Sequence, residues 1–329
     1  MPVKFGILTP QGWRLDLVNI PDPVEKYEHM TRFAQEAERL GYDSVWVYDH
    51  FHTVPTPELE TNFECWISTA GLARDTKTIR VGQMVTCNNY RNPALLAKMA
   101  STVDVLSHGR LEFGIGAGWY EEEYKAFGYE FPDGPERLRQ LEEALQIIRA
   151  MWSEPYANFE GKYYHVRGAI NEPKGVQKPQ IPLWVGGGGE KVTLKLVAKY
   201  ADAFNVTERH ADGYRHKLEV LKQHCENVGR NYGEIIKSAH AFLTLVGPGE
   251  DPEKVTAPTR AWMGKASGKE VGLDEYRERV MTGGPQEVVD YLGGIKEAGI
   301  DYFVMYLRND LTKFDALQLF AEEVIPHLR

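Results

Sequence analysis

Apolar residues follow two alternating patterns along this chain. Apolar runs too short for helices predict eight strands, over residues 4–9, 44–48, 79–86, 111–118, 182–186, 202–207, 237–246 and 302–307. Apolar residues also recur at helical spacing, in segments 22–41, 63–73, 92–109, 138–151, 190–198, 285–299 and 317–324. Strands that alternate with helices over one continuous chain predict an α/β fold, the (β/α)8 TIM barrel.

The predicted elements run through the chain without a linker. We therefore expect a single barrel domain over residues 1–329, with insertions around residues 153–180 and 248–282. In the first insertion, Phe159 to Val166 predict a small hairpin with Gly161 in its turn. The second insertion carries proline, glycine and charged residues without a clear period, so we expect it to be irregular.

Four consecutive glycines, Gly186, Gly187, Gly188 and Gly189, follow the fifth predicted strand, and Glu190 opens the helix after them. Glycine lets the backbone approach a ligand closely, and the first N–H groups of a helix have no partner within that helix. The helix dipole also favours negative charge at this end. The segment therefore predicts an anion cradle with phosphate as its ligand; the alternative is a flexible turn.

Composition restricts the class of partner. The chain has 47 acidic and 38 basic side chains, and its formal charge of −9 argues against nucleic-acid binding through counterion release. Its three cysteines, Cys65, Cys87 and Cys225, are scattered, so they form neither a disulfide framework nor a Cys-x-x-Cys metal site. No apolar run approaches the length of a membrane span, and the first residues lack a signal-peptide pattern, so we expect a cytoplasmic protein.

Polar residues follow the second predicted strand, at the end where a TIM barrel binds its ligand. Asp49 provides an acceptor and His50 a group that can donate or shuttle a proton near neutral pH. The alternative for this pair is an ordinary strand-end hydrogen bond. His50 and His52 also permit a metal site if other strands supply ligands, with His210 as one candidate. A metal-dependent amidohydrolase therefore remains an alternative.

Several motifs taken together resemble the bacterial luciferase-like monooxygenase superfamily. They are Lys4–Ile7, Gly41–His50, Ser107–Trp119, and the glycine cradle with Tyr200–Asp202. Within that superfamily, residues 118–124 and 186–191 are most similar to the branch that uses coenzyme F420, a deazaflavin. The resemblance covers nearly the whole chain and implies the same barrel fold.

The resemblance implies roles for residues at the ends of the second and third strands. Asp49 and His50 would lie beside the reactive end of the deazaflavin ring. The non-prolyl cis peptide of the family would fall at Gln83–Met84 and back the ring. Gln83, Met84 and Thr86 are all expected to contact the cofactor.

Other matching positions complete the expected site. Gly116 and Gly118 would flank the ring and side chain of the cofactor, and Gly186–Gly189 with Glu190 would receive its phosphate. A carboxylate from the helix after the fourth strand also reaches the site in many relatives, and Glu122 is the candidate here. No resident metal is expected.

The activity implied by the resemblance is hydride transfer between the deazaflavin and a small organic substrate, with proton transfer through His50 and Asp49. The family often has an acid where this chain has Trp119, so no proton donor is expected there. The nearest alternative is a two-component monooxygenase that uses reduced flavin mononucleotide, FMN, whose phosphate would fit the same cradle. A non-catalytic flavoprotein-like binder is a further alternative. Dimers are common in the family, but no sequence feature establishes one, so the oligomeric state stays open with a homodimer as one option.

Overall fold

The computed structural model describes residues 2–329, with only the backbone of Ala266 and Ser267. Its strands are β1 (Lys4–Leu8), β2 (Ser44–Val47), β3 (Arg80–Gln83), β4 (Thr86–Cys87), β5 (Leu111–Gly116), β6 (Ala157–Glu160), β7 (His165–Ala169), β8 (Leu183–Gly186), β9 (Ala203–Val206), β10 (Ile236–Leu245), β11 (Met281–Gly283) and β12 (Tyr302–Leu307). Its α-helices are α1 (Pro23–Arg39), α2 (Cys65–Asp75), α3 (Pro93–Leu106), α4 (Glu121–Ala126), α5 (Gly134–Ser153), α6 (Thr193–Tyr200), α7 (Ala211–Val228), α8 (Pro252–Ser267), α9 (Leu273–Arg277), α10 (Pro285–Glu297), α11 (Asp315–Glu323) and α12 (Ile325–Leu328).

Eight parallel strands close into a barrel. The order around the ring is β1, β2, β3, β5, β8, β9, β10 and β12, and β12 pairs with β1 to complete it. The predicted (β/α)8 TIM barrel is therefore confirmed. Short β4 continues the path of β3 and pairs with β5, whereas β11 extends the sheet beside the end of β10.

Large rings beside glycines fill the barrel interior. The Trp184 ring meets the Trp46 and Tyr302 rings edge to face, at centroid distances of 4.9 and 5.0 Å. All three side chains are fully or almost fully buried. A Cβ placed on Gly82 would lie 2.6 Å from a Trp46 ring carbon, so the missing side chain makes room for the indole. This alternation of large and small residues gives the close packing that protein cores require.

Two parts of the chain differ from the sequence-based expectation. Helix α7 had not been predicted, although its buried residues Tyr214, Leu218, Leu221 and Cys225 recur at helical spacing. The segment 248–282 was expected to be irregular, but it contains α8, α9 and β11. Pro258 lies inside α8, and proline inside a helical pattern ordinarily marks a break.

The other predicted insertion does contain the expected hairpin, since β6 and β7 pair antiparallel with Gly161 between them. No helix in the described part of the chain is both long and apolar enough to cross a membrane.

Candidate active site

His50 stands at the C-terminal end of β2, with one ring nitrogen held and the other free. Its Nδ1 lies 2.8 Å from Oε2 of Glu123, and its ring stacks on the Trp13 indole at a centroid distance of 4.2 Å and an interplanar angle of 1°. Among the described residues, Nε2 has no hydrogen-bond partner. A carboxylate at Nδ1 favours the tautomer that carries its proton there, which leaves the Nε2 lone pair available to accept a proton.

Glu123, which the sequence pattern did not single out, holds His50 in place. Its side chain is fully buried and also accepts hydrogen bonds from the Phe51 and His52 N–H groups, at 2.8 and 3.0 Å, and from the Tyr90 hydroxyl at 2.9 Å. Burial acts to raise its pKa, but the hydrogen bonds from His50, the His52 N–H and the Tyr90 hydroxyl bring the pKa below its usual value. Glu123 is therefore a charged anchor for the His50 ring.

The predicted carboxylate Glu122 does not form a hydrogen bond with His50 among the described contacts. Its side chain is exposed and accepts a hydrogen bond from the Tyr120 hydroxyl at 3.1 Å. Each residue of an α-helix is rotated about 100° from the one before, so only one residue of the run 121–123 can face His50. In α4 that residue is Glu123, and a contact between Glu122 and the reacting groups stays a prediction.

Asp49 is buried, and its carboxylate binds the side chain of Arg91 and the backbone of β4. Both of its carboxylate oxygens accept from the Arg91 guanidinium, at 2.6 and 3.0 Å, and Oδ2 also accepts from the Cys87 N–H at 2.8 Å. A carboxylate engaged in this way fixes the backbone around β4 and is poorly placed to carry protons. Contact between Asp49 and a cofactor stays a prediction.

The end of the third barrel strand contains a non-prolyl cis peptide, at Met84–Val85 rather than at Gln83–Met84. The Met84 N–H still donates to the Val47 carbonyl at 2.8 Å, so regular pairing with β2 continues one residue further than expected. After the cis peptide, the Val85 side chain lies between the C-terminal ends of β5 and β8. A Cβ on Gly116 or Gly186 would come within 2.8 or 2.9 Å of its methyl groups.

The polar side-chain groups of Gln83 and Thr86 form hydrogen bonds with helix α2, outside the barrel. The Gln83 amide donates to the Thr69 hydroxyl at 3.0 Å, and the Thr86 hydroxyl accepts from the Trp66 indole N–H at 3.0 Å. Both partners belong to α2. Val85 is therefore the residue of this stretch that borders the glycines at the barrel mouth, and a cofactor contact by Met84 stays a prediction.

Gly186 is the last residue of β8, and Gly187–Gly189 after it form an open backbone loop. Gly187 has φ +126°, a conformation that glycine adopts readily, and its N–H pairs with the Asn205 carbonyl at 2.9 Å. In the described part of the chain, the N–H groups of Gly188, Gly189 and Glu190 donate no hydrogen bond. Helix α6 begins only at Thr193, because residues 190–192 form a turn. The predicted start of this helix at Glu190 is thus three residues early.

Lys217 of α7 brings a positive charge to this loop. A Cβ placed on Gly188 would lie 4.0 Å from the Lys217 Nζ, which also forms an ion pair with Glu190 at 2.6 Å. The Glu190 side chain also contacts His216, at 3.1 Å. Glu190 therefore anchors Lys217 beside the glycines. Free N–H groups and an adjacent ammonium group are suitable donors for a phosphate.

The backbone conformation and the close packing at position 118 both require a glycine. Its φ is +75°, and a Cβ there would lie 2.1 Å from the Tyr124 hydroxyl and 2.7 Å from the Cys87 Sγ. The tyrosine hydroxyl and the cysteine sulfur are in mutual contact at 2.9 Å. Gly118 thus lets the loop after β5 cross this buried pair, and its contact with a cofactor, like that of Gly116, stays a prediction.

We expect Gly118→Ala to destabilise the fold by about 2–4 kcal/mol, through the cost of a left-handed alanine plus the clash with Tyr124 and Cys87. Gly128→Ala is the matched control, because Gly128 has φ +77° and nothing within 4 Å of the added methyl group. That variant should lose only about 1–2 kcal/mol. Urea unfolding of both variants measures the difference, and equal losses would refute the proposed clash.

A metal centre finds no support in the part of the chain that the structure describes, since no three His, Cys, Asp or Glu side chains are placed to hold an ion. The His50 Nδ1 is bound to Glu123, and the His52 ring packs against Phe127 at a centroid distance of 5.2 Å.

Several residues at or near the site were not identified from sequence: Glu123, Val85, Lys217 and Arg91. Only Glu123 had a local signal, the acidic run at the start of α4. The others reach the site from separate elements, and a single sequence carries no pattern that pairs Lys217 with Gly188.

Sequence comparisons identify relatives over nearly the full chain. A family model described as luciferase-like monooxygenase matches residues 3–302. The F420-dependent glucose-6-phosphate dehydrogenase of Kineococcus radiotolerans is 30% identical over 322 residues, covering 90% of this chain and 92% of that protein. The enzyme of the same name from Amycolatopsis mediterranei is 28% identical over 326 residues, covering 91% and 94%.

Solved structures share the fold. An F420-dependent secondary alcohol dehydrogenase, in complex with an F420–acetone adduct, superposes with a TM-score of 0.83 at 23% identity over 100% of both chains. The EDTA monooxygenase of Chelativorans sp. BNC1 gives the same TM-score of 0.83 at 17% identity, covering 100% of this chain and 94% of that one. With a barrel of this kind and a family model that spans residues 3–302, the chain belongs to the luciferase-like monooxygenase family.

Proposed function

We propose that this protein is a coenzyme F420-dependent oxidoreductase that acts on a hydroxyl-bearing carbon of a small organic substrate. The observation that carries the proposal is His50, whose Nδ1 is held by Glu123 while Nε2 stays free at the barrel mouth. Two relatives that match nearly the full chain are named as F420-dependent dehydrogenases, and the alcohol dehydrogenase with a similar fold is also named for this cofactor.

The residues present suit this cofactor. The N–H groups of Gly188, Gly189 and Glu190, together with Lys217, would hold its phosphate. Val85, between the glycine-bearing ends of β5 and β8, would form an apolar wall for its ring. Bound there, the deazaflavin would supply a two-electron hydride carrier.

The protein's own contribution is orientation and proton transfer. His50, with its ring fixed by Glu123 and by stacking on Trp13, would take the hydroxyl proton of the substrate at Nε2. Glu123 would stabilise the imidazolium that results, because its carboxylate is buried and within hydrogen-bond distance of Nδ1. Asp49, paired with Arg91, would keep the backbone around β4 in position.

Equilibrium binding of F420 and of FMN, measured side by side by fluorescence on the metal-free protein, tests the cofactor assignment. We expect tight binding of F420 and weak binding of FMN. Preference for FMN would instead favour the two-component monooxygenase. Binding of neither cofactor would refute the assigned phosphate site.

Lys217→Gln should raise the Kd for F420 by about tenfold or more, because it removes a charged donor beside the glycine loop. The control is Lys222→Gln on the same helix, where the side chain is exposed. That change should alter the Kd by less than about twofold. If both variants bind F420 as the wild type does, Lys217 does not contact the phosphate.

A further inference from the structure

A large cavity of about 910 Å³ lies on the far side of Trp13 from His50. It is lined by the loop after β1, the ends of β10 and β12, and helix α8, with Arg14, Asp16, Trp262, Tyr306 and Arg308 among its residues. Neither His50 nor the glycine loop lines it. Trp13 connects the two regions, because its ring stacks on His50 and lies 4.4 Å from the Arg14 guanidinium carbon.

Two arginines share one aromatic environment in this cavity. The Arg14 guanidinium carbon lies 5.3–5.4 Å from the ring centroids of Phe242, Trp262 and Tyr306. The corresponding distances from Arg308 to the same three rings are 4.9–5.4 Å. Aromatic faces attract each cation separately, but they do not neutralise two like charges side by side.

In the part of the chain that the structure describes, no carboxylate lies within ion-pair distance of Arg14 or Arg308. The Nε atoms of Arg14 and Arg308 are buried without a hydrogen bond, and within the described residues neither guanidinium forms an ion pair. Buried donors of this kind are ordinarily satisfied, because each one left unpaired costs free energy. Burial, followed by the Arg14 charge, lowers the pKa of Arg308 to about 10.

The other charged groups near Arg14 and Arg308 offset only one of the two arginine charges. Asp16 accepts from the Gly12 N–H at 2.6 Å and from the Tyr306 hydroxyl at 3.4 Å, and burial raises its pKa to about 6. Once ionised, it offsets one of the two arginine charges. Three lysines also line the cavity: Lys265 and Lys313 face Glu58 at 3.2 Å and Asp310 at 3.9 Å. The third, Lys254, is exposed, and two further carboxylates, Glu250 and Asp315, line the cavity with it. A single monoanion would therefore balance the arginine pair.

We propose that Arg14 and Arg308 bind a carboxylate group of the substrate, whose apolar part packs against Trp262 and Tyr306. Guanidinium groups bind carboxylates through paired N–H donors, and Trp262 and Tyr306 offer apolar faces next to them. This assignment rests on the proposed function in so far as the bound acid is the molecule that His50 deprotonates. The substrate class is then an organic hydroxy acid with an apolar body.

Binding of three probes to the wild-type protein tests the charge requirement. The probes are 3-phenylpropanoate, its neutral amide 3-phenylpropanamide, and phenyl phosphate, followed by quenching of tryptophan fluorescence at about pH 8, where carboxylic acids are ionised. We expect the acid to bind at least about tenfold more tightly than the amide, as for a hydrogen-bonded charged group. Equal binding of acid and amide, binding of phenyl phosphate alone, or no binding of the acid would overturn the proposal.

Three variants test the residues. Arg14→Gln and Arg308→Gln should each weaken 3-phenylpropanoate binding by about tenfold or more and leave amide binding unchanged. The control is Lys254→Gln, which removes an exposed positive charge from the same cavity and should change the Kd by less than about twofold. Acid binding that survives both arginine changes in folded protein would overturn the assignment.

Titration of F420 separates this proposal from the cofactor assignment. Both arginine variants should bind F420 as the wild type does, and loss of F420 affinity would overturn the proposal by assigning the arginines to the cofactor. If the wild type binds 3-phenylpropanoate through the arginines but does not bind F420, the carboxylate site stands and the proposed function fails.

Discussion

Replacing His50 with alanine should lower kcat by about 10²–10⁴-fold, the range expected when a positioned proton-transfer group is lost. The Kd for F420 should change by less than about threefold, since the phosphate donors lie on separate strands and helices. The physical reason is the free Nε2, which in this structure is aimed by the Glu123 hydrogen bond at Nδ1 and by the Trp13 ring. Steady-state kinetics with reduced and oxidised F420 measures the first effect, and fluorescence titration the second.

His52→Ala is the matched control for this prediction. His52 is two residues away, its ring packs on Phe127, and its contribution to Glu123 is a backbone N–H that alanine retains. Its kcat should stay within about threefold of wild type. Comparable losses in both variants would mean that disruption of the loop after β2 explains the effect, and that His50 transfers no proton.

Replacing Glu123 with alanine should destabilise the fold by about 3–5 kcal/mol, because it removes the acceptor of a buried charged network. Four donors would lose their partner together: the His50 ring, the Phe51 and His52 N–H groups, and the Tyr90 hydroxyl. Urea unfolding at neutral pH measures the loss. Glu123→Gln keeps the volume and one acceptor oxygen, so it should cost less stability than alanine does.

Glu122→Ala gives the comparison that distinguishes the two neighbouring acids. The Glu122 side chain is exposed, so its removal should change stability by less than about 0.5 kcal/mol. It should also leave the His50 ring orientation and the turnover rate unchanged. A larger stability loss in Glu122→Ala than in Glu123→Ala would mean that α4 is rotated by one residue relative to this structure.

The sequence by itself determined the barrel and the end of it that binds ligands. Apolar runs of strand length alternate with apolar residues at helical spacing, which predicts parallel strands covered by helices. Eight such units in one chain without a linker favour the closed barrel over the open doubly wound sheet. Local order then located His50 and the four glycines at the C-terminal ends of β2 and β8. Both conclusions depend on residues that are near one another in the chain, which is why one sequence was enough.

Only the tertiary structure decided which side chains meet. Glu122 and Glu123 are equivalent in composition, and a rotation of about 100° per residue along α4 selects the second as the partner of His50. The approach of Lys217 to Gly188, and of Arg14 to Arg308, joins residues that lie on different strands and helices of the closed barrel. Such contacts follow from ring closure and helix packing, which set distances in space independently of separation along the chain.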